Sequence, residues 1–232
     1  MFTIDKFTAV IFAAERPERM LPFGETRPKP LQEVSGKNLI EWKLEAIPRI
    51  VHEIVIVIGY QGDQIKKHFG DVWNGRRIRY AVQTELNGTA GALWAARNLL
   101  SGRFLVMMGE NLYAKEDVYS MLDYEFAVCV QEVNDREIGG EIIFNPDGTY
   151  AGILEQKHYI ERGFINTGMY MLNDKIFTYK PAPIDGTSTE LGLPHTLAVL
   201  GKDIPVATVK ATQWFQVTTP EDLVRAPREF IF

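Results

Sequence analysis

The sequence carries a single cysteine, Cys129, so an internal disulfide is excluded. That cysteine sits in the apolar run FAVCV, which suits a buried structural thiol and a reducing, cytoplasmic setting. No apolar run approaches the roughly 18 residues needed to cross a bilayer. The opening stretch, MFTIDKFTAVIFAA, lacks a basic leader region and a small-residue cleavage site, and reads as a first strand. Basic charge is not in excess: 25 Lys and Arg stand against 30 Asp and Glu, for a formal net charge of −5. That balance excludes the footprint of a nucleic-acid binder. The four histidines, His52, His68, His158 and His195, are scattered without ligand spacing, which leaves no zinc site. Neither G-x-G-x-x-G nor G-x-x-x-x-G-K-[ST] occurs, which removes the dinucleotide fingerprint of oxidoreductases and the P-loop. Linkers, repeats and low-complexity segments are also missing, so one domain over 1–232 is expected.

Three nearly continuous apolar runs are present: 7–13, 53–59 and 104–109. Runs rich in Val and Ile that do not alternate suit strands buried on both faces of a parallel sheet. Helical patterns fall between and after them, at 38–46, 63–69 and 90–100. This alternation is the βαβ rhythm of a right-handed, doubly wound α/β fold. Farther along, 126–131, 141–144, 151–155 and 165–171 read as shorter strands, with Asn145-Pro-Asp-Gly148 as a hairpin turn. A helix is expected at 189–200, a strand at 205–209 and a closing helix at 219–228, whose first turn holds Pro220, Glu221 and Asp222. The sheet is therefore expected to be mixed. The terminal REFIF suits either docking on its own domain or burial in a partner chain, which would make a homo-oligomer.

Ligands of open α/β sheets bind outside the carboxyl ends of the strands. The first strand is followed by a long connection, 14–29, that carries Arg16, Arg19, Arg27 and Lys29. A structureless loop of this length inside a compact domain is more often functional than not. Lys29 lies between Pro28 and Pro30, where a lysine has little structural purpose.

The segment AVIFAAERPERMLPFGETRPKPLQEVSGKNLIEWKLEAI resembles the opening of the sugar-1-phosphate nucleotidylyltransferases. The likeness continues through VIVIGYQGDQIKKHFG, YAVQTELNGTAGALWAARNLL, FLVMMGEN, ILEQK with FINTGMYML, and WFQVTTPEDL, in the family's order and spacing. It implies a Rossmann-like, three-layer α/β/α fold of the nucleotide-diphospho-sugar transferase type. It also implies an enzyme that joins an NTP to a sugar 1-phosphate with Mg²⁺ as cofactor, giving a nucleotide-sugar and pyrophosphate. By the same resemblance Arg19 would contact the β- and γ-phosphates, Lys29 the α-phosphate region and Lys157 the phosphate of the sugar. Ala14, Glu15, Gln83, Gly88 and Thr89 would line the nucleotide, with Gln83 and Gly88 at the base. Gly140, Gln156, Asn166 and Thr167 would lie along the sugar, and Glu110 and Gln216 would occupy the metal positions.

The sequence departs from the family pattern at the chemistry. Glu15 and Pro17 stand where the phosphate loop carries glycines, Glu18 where it carries a small hydroxyl residue, and Gln156 replaces an acid beside Lys157. Glu110 and Gln216 replace two aspartates, and Thr218 a glycine. Proline removes an N–H donor, and a carboxylate about 4 Å from a phosphate oxygen costs roughly 4 kcal/mol at an effective dielectric near 20. Two readings follow: a nucleotidylyltransferase whose turnover is impaired by these changes, or an inactive nucleotide- or sugar-phosphate-binding or assembly subunit on the same scaffold.

Overall fold

The computed structural model describes residues 7–16, 20, 26–134, 139–155 and 162–232. Its centre is a ten-stranded mixed sheet. In chain order the strands are β1 (Phe7–Ala13), β2 (Val51–Ile58), β3 (Val72–Trp73), β4 (Arg76–Val82) and β5 (Arg103–Met108). They continue as β6 (Ala127–Val133), β7 (Gly140–Phe144), β8 (Tyr150–Glu155), β9 (Gly163–Asn173) and β10 (Ala207–Lys210). The spatial order is β8-β7-β9-β5-β1-β2-β4-β3, with β6 on β9 and β10 on β6. Strands β4, β2, β1 and β5 run parallel. Strand β9 is antiparallel to β5 and β6. The doubly wound, mixed α/β/α architecture expected from the sequence is the one observed.

Strand β1 is buried along its whole length, and its two faces sort the core. Ala9, Ile11 and Ala13 pack with Ile40 and Leu44 of α1 (Leu39–Ala46) and Ile65 of α2 (Gly62–Phe69). Val10 and Phe12 pack with Leu93 of α3 (Thr89–Ala96) and Leu197 of α5 (Leu193–Leu200). Helix α4 (Lys115–Met121) joins the first group through Val118 and Met121. Apolar side chains on both faces of the strand therefore pack beneath helices, which is why these runs carry no alternation.

Helix α1 starts where its capping box dictates. Asn38 Oδ1 accepts from Glu41 N–H at 2.9 Å, and Glu41 Oε2 accepts from Asn38 N–H at 2.8 Å. The 90–100 pattern becomes α3 followed by a 3₁₀ turn over Arg97–Leu99. The expected helix at 189–200 begins only at Leu193, because Leu191–Gly192 pairs with Ala182–Pro183 as a short ribbon. Strand β4 is absent from the sequence reading, since Arg76, Arg77 and Arg79 break its apolar run. The structure uses those charges. The Arg76 guanidinium donates to the Ile47 and Leu44 carbonyls that end α1, and Arg79 pairs with Glu53 at 2.5 Å. The Asn145–Gly148 turn joins β7 to β8 as expected, with Gly148 N–H on Asn145 O at 2.9 Å.

The closing helix, α6 (Pro220–Glu229), carries the terminal residues back onto the domain. Phe230 is buried with Leu39, Leu112, Phe215 and Val217, and the Phe232 ring lies 4.3 Å from that of Trp42. Phe230 of REFIF thus docks on its own domain, while Ile231 is left 85% exposed. Truncating Phe230→Ala should lower unfolding free energy by about 3 kcal/mol, the cost of emptying a buried aromatic site. Urea denaturation with an unchanged slope is the measurement, and a midpoint at the wild-type value would contradict this packing.

Candidate active site

Parallel pairing brings the carboxyl ends of β1, β2, β4 and β5 to one edge of the sheet. Above that edge lies a cleft of about 830 Å³ whose lining includes Ala14, Glu15, Lys29, Gln83, Gly88, Thr89 and Glu110. These sequence-selected residues come from five separate segments. Two glycines allow the segments to close up. A β-carbon at Gly59 would stand 2.7 Å from the Ala14 carbonyl oxygen, and one at Gly109 would collide with that of Phe12.

Lys29 opens a 3₁₀ turn, Lys29–Leu31, and is 5% exposed. Its two prolines preset the chain for that turn, so a cationic side chain is held at the cleft instead of on the surface.

Another part of the cleft lining comes from Gln83 and the start of α3. Gln83 N–H donates to Ile58 O at 2.9 Å, which fixes the residue to the end of β2. Its side-chain Nε2 donates to Gly88 O at 3.1 Å and to Asn87 Oδ1 at 3.4 Å. With both amide hydrogens engaged, Oε1 is the group left to accept from a ligand. Gly88 has φ +98°, and a β-carbon there would lie 2.5 Å from Leu191 O. Gly91 is required as well, because its β-carbon would overlap Asn87 Oδ1. Thr89 Oγ1 accepts from Leu193 N–H at 2.9 Å, which ties α3 to α5.

Glu110 follows β5 and lines the cleft. Val217 N–H donates to its carbonyl at 3.2 Å, and Gln216 pairs in register with Asn111. Glu110 thus sits in the turn that leads into Asn111–Tyr113, the strand paired with the one that carries Gln216. No group of three or more His, Cys, Asp or Glu that could hold a metal occurs among the described residues. One carboxylate and one amide oxygen suit Mg²⁺ delivered with substrate phosphates, a cation often held by one or two carboxylates and several waters. Behind Glu110 lies Lys43, 1% exposed. Burial pushes its ammonium down to about 7, with Glu110 pulling it up and Lys29 pushing it further down.

The sugar-side expectations divide. Asn166 Nδ2 donates to Tyr170 Oη at 2.7 Å, and its Oδ1 accepts from Gly168 N–H at 3.0 Å, in an irregular stretch of β9. That stretch meets the cleft through Gly168, which backs onto Met108. Gly140 opens β7 beside Glu155, whose carboxylate would stand 3.5 Å from a β-carbon there. Thr167 is fully buried, and its hydroxyl donates to Cys129 O at 2.9 Å. Its carbonyl accepts from Asn111 Nδ2 at 2.8 Å and from Tyr113 Oη at 3.0 Å. Thr167 therefore braces the floor and offers no exposed hydroxyl. Gly140, Asn166, Thr167 and Gln216 are not in the lining of the main cleft. Arg19, Gln156 and Lys157 lie outside the described residues, as do Pro17 and Glu18.

Arg16 of the long first loop and Thr218 also line the cleft; sequence reasoning missed Glu190, which lines it as well, and Lys43 beneath it. Lys43 had a signal: it stands four residues after Leu39 and four before Ile47, on the apolar side of α1.

Residues 8–230 match the family model described as Nucleotidyl transferase. The bifunctional protein GlmU of Methanococcus maripaludis is 30% identical over 226 residues, covering 96% of this chain and 54% of that protein. The UTP–glucose-1-phosphate uridylyltransferase AglF of Haloferax volcanii is 27% identical, covering 73% of each. This chain spans about half the length of the archaeal GlmU proteins it matches. Among solved structures, one described as a glucose-1-phosphate thymidylyltransferase from Bacillus anthracis aligns with a TM-score of 0.80 at 22% identity, covering 97% and 96% of the two chains. HddC from Yersinia pseudotuberculosis aligns at 0.71 and 24%, covering 97% of this chain and 99% of that one.

Two glycines in left-handed backbone separate close packing from strain alone. Gly36, φ +81°, faces open space, whereas Gly88 is blocked by Leu191. Gly36→Ala should cost about 1 kcal/mol, the ordinary penalty of that conformation. Gly88→Ala should cost about 2–3 kcal/mol, because the clash adds to the strain. Equal losses in urea denaturation would show that the Gly88–Leu191 approach does not constrain the cleft.

Proposed function

Because the chain belongs to the nucleotidyl transferase family, we propose that it transfers a nucleotidyl group from an NTP to a sugar 1-phosphate and releases pyrophosphate. The observation that carries this reading is the convergence of Lys29, Gln83, Gly88 and Glu110 on one cleft at the carboxyl edge of the sheet.

The proposed reaction is an in-line displacement. An oxygen of the sugar phosphate attacks the α-phosphorus, a new P–O bond forms, and the bond to the β-phosphate oxygen breaks with its electron pair leaving on pyrophosphate. A phosphate monoester is mostly dianionic at neutral pH, so the nucleophile needs no general base. What the protein supplies is position and charge. Lys29 neutralises the α-phosphate region, Arg19 is proposed for the β- and γ-phosphates, and Lys157 for the phosphate of the sugar. Gln83 accepts from an N–H on the base through Oε1, while Gly88 lets the ring plane approach. Mg²⁺, when bound with the nucleotide, would spread negative charge off the phosphates, and Glu110 with Gln216 would hold it there.

A pyrophosphate-release assay across ATP, CTP, GTP, UTP and dTTP, each with glucose, mannose and N-acetylglucosamine 1-phosphates, tests the proposal. Release in at least one pairing is expected, and Lys29→Ala should lower its kcat/KM by about 10²–10³-fold, the usual loss for one preorganised charge donor. No release by folded protein in any pairing counts against it.

Gln216 and the acid at Glu15 favour a second reading, binding without turnover. Calorimetry separates the two: a nucleotide or nucleotide-sugar would bind with no pyrophosphate formed. In that case the combined Glu15→Gly, Pro17→Gly and Gln216→Asp variant should gain measurable release. Failure to gain it would leave the substituted positions without the part assigned to them.

A further inference from the structure

Lysine is among the residues least often fully buried, and Lys43 has 1% of its surface exposed. Its Nζ donates to two backbone carbonyls, Leu39 O at 3.0 Å in its own helix and Gly109 O at 2.9 Å across the domain. The second bond joins α1 to the residue directly before Glu110. An apolar side chain of similar length would fill the site without the cost of desolvating an amine. The polar head is thus an expense that packing does not require.

What the head does is visible at its far end. Three independent contacts fix the Gly109–Glu110 turn. Gly109 is pressed against the Phe12 carbonyl with no room for a β-carbon. Its own carbonyl is held by Lys43. The Glu110 carbonyl accepts from Val217 N–H, beside Gln216. Helix α1 is held in turn to the Lys29 segment, since Leu39 N–H donates to Gln32 O at 3.1 Å and Gln32 N–H to Lys29 O at 3.0 Å. A short chain of hydrogen bonds runs from Lys29 through α1 and Lys43 to the turn that presents Glu110.

We infer that Lys43 is a positioning residue: it sets the direction of the Glu110 carboxylate into the cleft and couples that direction to Lys29. The inference rests on the reading of Glu110 as a metal-side carboxylate.

The test uses Mn²⁺ alone as probe, with the loss of its free electron-paramagnetic-resonance signal as readout on the full chain, so no turnover is needed. Wild-type protein should bind Mn²⁺, and Glu110→Gln should weaken binding by at least tenfold. Lys43→Met should weaken it by about three- to tenfold while its melting temperature stays equal or rises, as expected when a buried amine is replaced by an apolar chain of similar length. Lys43→Gln, which keeps a donor on a shorter stem, should fall between the two and serves if the methionine variant does not fold. A purely structural Lys43 predicts the reverse, a lower melting temperature with an unchanged Mn²⁺ constant. That result, tighter Mn²⁺ binding in Lys43→Met, or Mn²⁺ binding indifferent to Glu110→Gln overturns the inference. Absence of pyrophosphate release with the Mn²⁺ pattern intact would instead count against the proposed transfer reaction and leave the positioning role standing.

Discussion

The parallel registration of β1 between β2 and β5 is the constraint on which the rest depends. Ala13 pairs with Ile58 and Phe12 with Met108, so these strands end nearly level and their loops emerge side by side. Gly59 and Gly109 then permit the exits to pack against the backbone of β1's own exit. Shift either strand by a residue, and the helices on the two faces of the sheet would meet the wrong side chains. The cleft would lose its floor at the same time. Core packing and site geometry are here the same fact.

Most of the scaffold was legible because parallel strands buried on both faces leave an unbroken apolar signature, as in 7–13 and 104–109. Strand β4 was not, since its arginines serve Leu44, Ile47 and Glu53, partners that no local pattern displays. The start of α5 was misplaced for a similar reason: Leu191 N–H is claimed by Asn87 O at 2.7 Å, a contact across about a hundred residues. At the site, Lys29, Gln83, Gly88 and Glu110 were found by motif and strand-end position. Thr167 matched its motif yet turned inward, because an irregular stretch of β9 decides which way each side chain points. Glu190 reaches the cleft from a segment that bears no strand-end signal of its own, whereas Thr218 follows the short strand Trp214–Gln216 within the WFQVTTPEDL motif.

The cleft sets charges of both signs at close quarters. Lys29 is nearly buried, Lys43 fully so, and Glu110 faces the cavity beside them. Desolvated amines are expensive to maintain, and each here is compensated differently: Lys29 opens onto the cavity, and Lys43 onto two carbonyls. Such an arrangement resists collapse in the absence of ligand, because the prolines flanking Lys29 and the glycines beneath Glu110 leave the backbone few alternatives.

Cys129 has a practical consequence. Its side chain is wholly enclosed in β6, and burial pushes the thiol up to about 12, so at neutral pH the native chain offers no nucleophilic sulfur. A cysteine introduced at Leu86, which is 46% exposed on the rim of the cleft, would react with maleimide dyes as a unique attachment point. The fold thus supplies a silent background for single-label fluorescence, with the probe placed beside the entrance that a ligand must pass.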